Sequence, residues 1–442
     1  MMRNKIFLFF VMATLISAGI QAQEKWSLDD CIQYATEHNI NIKSKAVEME
    51  LQNNNVTSAI SSFLPSVSAN ISQQWTIGRS ISPIDNTYQS TRNSYTPFGI
   101  SMSVPLFSGM SNINNLAISK LYYKASQEQV RMSVLETEQA VISAYFQILY
   151  DEEVIEISKL QVERDEYQVN RLVKLHGMGK ATGSQVCEMQ SQLASDMMTL
   201  VEAEKNLALS KLNLTQLLEL ESSPNFQIVK IDYSGNAQSL QSQPDSLFAE
   251  IVRHHPMIKN EELRLSAAHK KLVLARNNML PKLSFDMAYN NNCYIVKNYD
   301  NRSFIEQLRS NGSLYLGLNL SIPIFDRMET INRKREAKLK ISQQELQVQN
   351  TKKSLYNAIE QLYCEMTMAE RSLQYAVQAK EKSELVYNQT VVKYENGKVS
   401  SNELNEAKNN FLKSSVSLSQ TKYLYFFKIK ILNLFEKIIN MY

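Results

Sequence analysis

The sequence is poor in proline, glycine and cysteine, with nine, eleven and four of each among 442 residues. No proline lies between Pro105 and Pro224 or after Pro323. Long helices in these two tracts would therefore not be interrupted by proline. Four cysteines far apart in so long a chain exclude a disulfide framework and show no metal or redox spacing. We expect them to be packed thiols.

The sequence also lacks a dominant charge and a catalytic motif. Its formal net charge is +3, with basic residues mixed among acidic ones, which does not predict a nucleic-acid surface. The five histidines are scattered without paired metal spacing, and neither a phosphate-binding glycine loop nor a nucleophile elbow is present. We therefore predict a protein that is not an enzyme and needs no cofactor.

Uncharged apolar runs are confined to the first residues. Two basic residues precede an apolar run, 6–20, and Ala22 offers a small residue for cleavage, so a secretory signal peptide is predicted over 1–22. Further along, the most apolar tract, 423–439, is interrupted by four charged residues. If the exported chain sits in a membrane, helices are not expected to span it.

What the sequence has instead is a duplication at a spacing of about 218 residues. The segment 104–107 (VPLF) returns as 322–325 (IPIF). A heptad row that follows a glycine cluster in each half also matches residue for residue: Val186, Leu193, Leu200, Leu207 and Leu214 against Leu404, Phe411, Leu418, Tyr425 and Leu432. The duplication predicts two equivalent halves, namely a first repeat over 23–222, a linker over 223–244 and a second repeat over 245–442.

Seven-residue apolar rows fill the proline-free tracts and predict helices that pack side by side as coiled coils. The rows are Val134, Val141, Ile148, Ile155, Val162 and Val169 in the first half, and Ile341, Val348, Leu355, Leu362, Ala369 and Ala376 in the second. A helix over about 108–174 would be about 100 Å long at 1.5 Å per residue, which excludes an ordinary globular domain. Shorter helices are expected over about 39–62 and 255–278.

The glycine clusters predict the tips of two helical hairpins, over about 176–184 and about 395–401. The helix after each tip is expected to be about half as long as the one before it.

Four further segments alternate between apolar and small polar residues, which is the period of β-strands. They predict strands over about 66–76 and 95–105 in the first repeat and about 282–291 and 313–323 in the second, with polar loops at roughly 77–94 and 291–312. Two structures fit these strands. A soluble sandwich would pack the apolar faces on each other, whereas a transmembrane barrel would turn them to lipid.

Export, strands of about ten residues and small polar residues on the opposite face favour the barrel. A sheet in a membrane cannot leave an edge in lipid. Four strands are too few to close a barrel alone, whereas three copies would supply about twelve strands around a lumen wide enough for water.

With these features in place, the chain resembles the outer membrane efflux protein family, the TolC-like channels, over essentially its whole mature length. The resemblance rests on the duplicated strand–loop–strand units, on the glycine-tipped hairpins and, most specifically, on 394–404 (YENGKVSSNEL). It implies a mainly α-helical chain with transmembrane β-structure. A homotrimer would form a twelve-stranded β-barrel in the outer membrane of a Gram-negative bacterium, continuous with a long periplasmic α-helical barrel.

The resemblance also implies roles for residues near the tips. Glu403 and Glu406 match acidic residues that ring the periplasmic entrance of such channels, with Glu188 at the matching position of the first tip. Tyr394 matches a tyrosine that helps hold the entrance closed, and Val399 stands where that lock has an arginine.

Two interpretations of Glu403 and Glu406 stay open. They are either solvated first-turn acids that the helix dipole favours, or part of a carboxylate ring that selects cations. The tips themselves are expected to dock a periplasmic adaptor through Gly177, Gly179, Lys180, Gly397 and Lys398.

The function implied is a passive exit duct of a tripartite efflux pump or a type I secretion system. Its partners would be two further copies of the chain, a periplasmic adaptor (membrane fusion) protein, an inner-membrane efflux or ABC transporter, and outer-membrane lipid. The alternative is a periplasmic coiled-coil adaptor or spacer protein. Such an adaptor normally has one hairpin flanked by small β domains, whereas this chain has two hairpins and two strand pairs.

Overall fold

The structure, a computed structural model, describes residues 25–81, 86–221, 226–231, 244–297 and 300–440. The predicted signal peptide, 1–22, lies outside the described residues, as does most of the predicted linker, 223–244. Most of the described chain is helical, with one antiparallel sheet. Across the described residues no helix combines the length and the apolar character needed to cross a membrane.

The elements follow one order twice. In the first half they are α1 (Leu28–His38), α2 (Ile40–Ser61), β1 (Ser66–Ile71), β2 (Gln74–Ile81), β3 (Tyr88–Phe107), α3 (Ser111–Gly177) and α4 (Gly183–Leu217). In the second half they are α5 (Pro244–His254), α6 (Pro256–Arg276), β4 (Lys282–Val296), α7 (Phe304–Ser310), β5 (Ser313–Ser321), α8 (Glu329–Glu395) and α9 (Ser401–Asn440). We call α3–α4 hairpin 1 and α8–α9 hairpin 2.

The predicted helices are confirmed in both halves. The long helices α3 and α8 each have 67 residues and begin 218 positions apart. The helices after the tips, α4 and α9, have 35 and 40 residues, about half as long as those before them. The short helices α2 and α6 lie within the predicted segments.

By contacts between residues the chain divides into two compact units. A helical unit comprises Met1–Lys45, Val130–Pro256 and Lys352–Tyr442, and a sheet-containing unit comprises Ala46–Gln129 and Met257–Thr351. Each unit therefore contains segments of both predicted repeats. The boundaries of the repeats themselves stay a prediction.

The heptad rows form the buried stripes of the long helices. Val141, Ile148, Ile155, Val162 and Val169 of α3 are each at most 9% exposed, and the whole predicted row of α8 is buried. Burying one Val or Ile side chain stabilises the fold by about 1.5–3 kcal/mol. Each row therefore stabilises the packing of its helix by the sum of several such contributions.

The sheet has the order β1–β3–β4–β5, antiparallel throughout, and β2 also pairs with β3. The sequence predicts one continuous strand over 66–76, and this is wrong, because the strand is interrupted at Ser72 and Gln73. Ser72 N–H donates to the carbonyl of Pro97 at 3.0 Å, but a proline has no N–H to return. Pairing then resumes in β2.

The predicted loop at 77–94 is also corrected, since β2 and β3 pair from Gln74–Tyr95 to Ile81–Tyr88. Similarly, β4 continues to Val296, and α7 occupies part of the second predicted loop. The alternation of apolar and polar residues identifies only the part of a strand that has one apolar face. The main-chain hydrogen bonds of a β-hairpin can continue beyond that part, so the strands are longer than the alternation predicts.

The apolar face of the sheet is uncovered within the chain. Leu314, Leu316, Leu318 and Leu320 of β5 are between 57 and 68% exposed. A soluble sandwich would bury these leucines against a second sheet, and the described part of the chain contains only one sheet. The sandwich alternative is therefore not supported.

All four cysteines are free thiols. Cys31 and Cys293 are buried, as expected, but Cys187 on α4 and Cys364 on α8 are exposed. The expectation of packed thiols is wrong for these two, because neither lies on a buried heptad row.

Candidate functional site at the helical hairpin tips

Tight turns end the long helices at the predicted tips. Gly179 after α3 and Gly397 after α8 have φ angles of +74° and +68°, in the left-handed region that favours glycine. In each turn the following lysine, Lys180 or Lys398, donates its N–H at 2.9 Å to a carbonyl five residues earlier. This is the longer-range of the two hydrogen bonds in the Schellman motif, which supplies donors to the last carbonyls of a helix.

We expect Gly179→Ala to destabilise the first tip by about 1–2 kcal/mol, because an alanine is strained in the left-handed region. Gly177→Ala is the matched control, since its φ is not positive and a Cβ at either glycine meets no atom within 4 Å. Hydrogen exchange of the tip amides measures the difference. Equal exchange in both variants would contradict the role given to the turn.

A capping box begins the helix after each tip. At the first tip Gln185 N–H donates to Thr182 Oγ1 at 3.3 Å and Gln185 Oε1 accepts from Thr182 N–H at 2.9 Å. At the second tip Glu403 N–H donates to Ser400 Oγ at 3.3 Å, and the Glu403 carboxylate accepts from Ser400. Glu403 therefore has the same structural task as Gln185, so its charge is not needed for capping.

The two hairpins are tied to each other close to the tips. Ser401 Oγ at the start of α9 donates to Glu188 Oε2 of α4 at 2.8 Å. Arg171 Nη2 of α3 donates to the Glu395 carbonyl at the end of α8 at 3.0 Å, with Nη1 3.9 Å from Glu395 Oε1. These contacts place an arginine of hairpin 1 at the C-terminus of α8, where the helix dipole favours positive charge.

Tyr394 lies half-buried in the same place. It packs on an apolar cluster that includes Leu404 and Phe411. Burial and the charge of Glu188 raise the pKa of its phenol, whereas the charge of Arg171 acts in the opposite direction. The structure thus brings Tyr394, Glu188 and Arg171 together, whereas Glu403 and Glu406 are exposed on α9.

A buried ionic cluster lies behind the tips and was not predicted from the sequence. Lys408 Nζ of α9 is 2.7 Å from Asp165 Oδ2 of α3 and 2.6 Å from Asp196 Oδ2 of α4. The side chains of Lys408 and Asp165 are only 2% exposed. Gln161 and Gln192 donate to the remaining carboxylate oxygens at 2.9 Å. We call Asp165, Asp196 and Lys408 the ionic cluster.

The two carboxylates of the ionic cluster are not equivalent. Burial raises the pKa of Asp165 to about 6, helped by the adjacent Asp196. Burial also disfavours ionised Asp196, but hydrogen bonds from Asp165 and Lys408 outweigh it and lower the pKa of Asp196. Asp165 is the more buried of the two, at 2% against 13% exposure. A proton taken up by the pair therefore resides on Asp165.

Aromatic side chains complete this junction of the four helices. The rings of Tyr387 and Phe411 stack with centroids 5.6 Å apart, and the guanidinium carbon of Arg164 lies 5.6 Å from each centroid. Burial raises the pKa of Tyr387, and the charge of Arg164 opposes that increase. The junction therefore combines stacking and cation–π attraction with the ion pairs.

The described residues contain no group of three or more His, Cys, Asp or Glu side chains arranged to hold a metal ion.

Comparisons with known proteins agree with this architecture. The family model described as outer membrane efflux protein matches residues 31–219 and 247–425, which is most of the chain. The chain belongs to the outer membrane efflux protein family. Outer membrane efflux protein BepC of Brucella suis is 19% identical over 364 residues, covering 82% of this chain and 75% of that protein.

Solved structures show the same fold. The CmeC outer membrane channel of Campylobacter jejuni has a TM-score of 0.79 at 18% identity, with 92% of this chain and 85% of that chain covered. The outer membrane protein VceC of Vibrio cholerae has a TM-score of 0.74 at 14% identity, with 92% and 95% covered. As a member of the efflux family the protein is an outer-membrane channel with a large periplasmic part.

Proposed function

We propose that this efflux channel works as a homotrimer. It would be the exit duct that receives substrates from an inner-membrane pump and a periplasmic adaptor, in drug efflux or in type I secretion. The proposal rests on one observation: each chain contains one open sheet and two helical hairpins. The sheet edges β1 and β5 need partner strands before the apolar face can enter lipid.

Because β1 and β2 pair with successive parts of β3 as one interrupted strand, each chain contributes four strands across the sheet. Three copies would supply twelve strands, enough for a barrel with a water-filled lumen. Two hairpins from each of three chains supply a ring of six around the periplasmic entrance. The spacer alternative is not favoured, because family membership and the exposed apolar face of the sheet both favour a membrane channel.

The tips are the proposed docking site for the adaptor. Gly177, Gly179, Lys180, Gly397 and Lys398 are all exposed. The glycines of the two turns leave the main chain accessible, since a Cβ at Gly177, Gly179 or Gly397 would meet no atom within 4 Å. Family membership supports a periplasmic adaptor as the partner.

A photo-reactive amino acid at Lys398 or Lys180 tests this docking in cells. We expect cross-links to a membrane fusion protein identified by mass spectrometry. The same group at Lys205, an exposed residue on α4 away from the tip, is the control and should give none. Identical products from the tip and control positions would contradict docking at the tips.

Ion selectivity is proposed to be determined at the entrance, where Glu403 and Glu406 are fixed negative charges. Glu403→Gln together with Glu406→Gln should lower the cation-to-anion permeability ratio toward roughly 1, the value without fixed charge. Glutamine preserves the capping box, as Gln185 does at the first tip, so the fold is expected to stay intact. Single-channel reversal potentials in a salt gradient measure the ratio.

Glu403→Ala together with Glu406→Gln is the useful contrast, because it removes the same two charges and also the part of the capping box that Glu403 supplies. It should change selectivity as the glutamine variant does and also speed hydrogen exchange at the start of α9. Unchanged selectivity in the glutamine variant would mean that these residues are only solvated first-turn acids.

A further inference from the structure

Basic residues are concentrated where the helices meet the sheet. The helix ends next to the strands, which we call the basic collar, are 48–61, 111–124, 263–276 and 329–342. All four lie in the sheet-containing unit. They contain eleven basic and four acidic residues, a net charge of +7, whereas the whole chain has only +3. The rest of the chain is therefore acidic on balance.

On one face of the collar the basic residues have partners within the chain. A polar groove on this face is lined by Tyr122, Arg264, Lys271, Arg333, Glu336 and Lys340. Arg333 pairs with Glu329, and Lys340 Nζ is 2.5 Å from Glu336 Oε1. Lys271 Nζ donates to the Tyr122 hydroxyl at 2.6 Å, and Arg264 Nε donates to Asn260 Oδ1 at 2.8 Å.

Other lysines of the collar have no such partners. They are exposed, and we call them the outer lysines: Lys120, Lys124, Lys270 and Lys338. Across the described part of the chain, none of their side chains forms an ion pair or a hydrogen bond. Their charge is therefore available to a partner outside the chain.

On α8 the unpaired lysine lies on the outside of the proposed ring of helices. Tyr356 of α8 packs on Phe248 of α5, with ring centroids 4.9 Å apart. Because the inside of the ring is the duct, a helix that covers α8 must lie outside it. At about 100° per residue, Lys338 is on the same face of α8 as Tyr356, whereas Lys340 of the groove is on the opposite face.

The same arrangement is found on α3. The Tyr145 hydroxyl donates to the carbonyl of Val229 at 2.6 Å, so this face of α3 is also covered from outside. Lys120 and Lys124 lie on the Tyr145 side of the helix, and Tyr122 of the groove lies on the opposite side. Both long helices thus direct unpaired lysines outward and groove residues inward.

Exposed apolar residues lie between the strands and these lysines. Ile113 of α3 and Ile331 of α8 are 56 and 40% exposed, on the same outer faces. Each precedes an outer lysine, Lys120 or Lys338, by seven residues, which is about 10 Å along a helix. The headgroup layer on each side of a bilayer is about 5–8 Å thick, and a lysine reaches further on its flexible stem. The order of strand, isoleucine and lysine therefore matches acyl chains followed by headgroups.

We propose that the outer lysines bind the phosphate groups of anionic glycerophospholipids in the periplasmic leaflet of the outer membrane. The inference rests on the proposed homotrimeric channel, whose ring presents three sets of these lysines at the membrane surface. Lipid phosphates supply the negative charge that the chain itself does not place beside them. The contacts hold the channel at a fixed depth in the membrane.

Lipid titration of the purified trimer tests this binding, with native mass spectrometry counting bound phosphatidylglycerol and phosphatidylcholine. The outer variant carries Lys120→Gln, Lys124→Gln, Lys270→Gln and Lys338→Gln. The control variant changes four exposed lysines of the helical unit instead: Lys159→Gln, Lys205→Gln, Lys382→Gln and Lys413→Gln. Both variants lose the same charge, so only its position differs.

We expect the wild type and the control variant to prefer phosphatidylglycerol, and the outer variant to bind it about tenfold or more weakly. Added salt should weaken the preference by screening. Equal affinities in the outer and control variants would overturn the lipid site but not the channel. A protein that forms no trimer would instead overturn the proposed homotrimer, and the lipid site with it.

Inorganic phosphate distinguishes a lipid from a soluble anion. At the same concentration as phosphatidylglycerol it should not displace the lipid, and displacement would overturn the assignment to the membrane. A photo-reactive amino acid at Lys338 in cells identifies the occupant directly. We expect phospholipid adducts there and none from the same group at Lys382, whereas a defined protein adduct at Lys338 would overturn the proposal.

Discussion

Replacing Lys408 with methionine should destabilise the junction behind the tips by about 3–5 kcal/mol, the usual cost of breaking a buried ion pair on one side. The substitution keeps most of the apolar stem but leaves two buried carboxylates facing each other without a cation. Hydrogen exchange of amides in α3, α4 and α9 measures the local opening free energy. We expect exchange about 100-fold faster or more.

The triple variant Asp165→Asn, Asp196→Asn and Lys408→Met separates charge from packing. It contains no unpaired buried charge, and fully apolar or neutral replacements of buried ion pairs are often tolerated. We expect it to recover most of the stability lost by Lys408→Met alone. If the triple variant is as unstable as the single one, the ionic cluster contributes by shape and not by charge.

Acidification from pH 7 toward pH 4 should stabilise the same junction. The pKa of Asp165 is about 6 in the folded protein against an ordinary value of 3.8. Between these values the folded state holds a proton that the unfolded state lacks, so the free energy of unfolding rises as pH falls. A shift of about two units corresponds to at most about 3 kcal/mol, part of which is offset by the lowered pKa of Asp196 below pH 4.

Asp165→Asn removes the titrating group and should abolish most of this pH dependence. Asp29→Asn, which alters an exposed carboxylate of α1, is the control and should preserve it. Local opening free energies at pH 7 and pH 5, from hydrogen exchange corrected for its intrinsic rate, give the comparison. A wild-type junction that loses stability on acidification would mean that Asp165 is ionised throughout.

Much of the helical architecture follows directly from residue spacing. Heptad rows such as Val141 to Val169 specify a buried stripe, and glycine is required where φ is positive at Gly179 and Gly397. The strand ends do not follow from spacing, because the β2–β3 hairpin is held by main-chain pairing beyond the apolar alternation. The break between β1 and β2 lies opposite Pro97, which has no N–H to donate, and the alternation of apolar residues does not predict it.

The candidate site is only partly readable from the sequence. Ser400 and Glu403 follow a local capping pattern three residues apart, so their contact could be expected. Asp165 and Lys408 are 243 positions apart, and nothing local indicates that they meet. One signal was present: Lys408 lies four residues after Leu404, beside the buried row, and its equivalent in the other half is uncharged.

In the proposed assembly, three copies enclose a water-filled duct. Ion conductance of the purified protein in planar lipid bilayers tests it most directly. We expect stepwise, cation-preferring single channels from preparations in which native mass spectrometry finds three chains per particle. A trimer that inserts into the bilayer but conducts no ions, or a protein that stays soluble and monomeric, would contradict a channel formed by three copies.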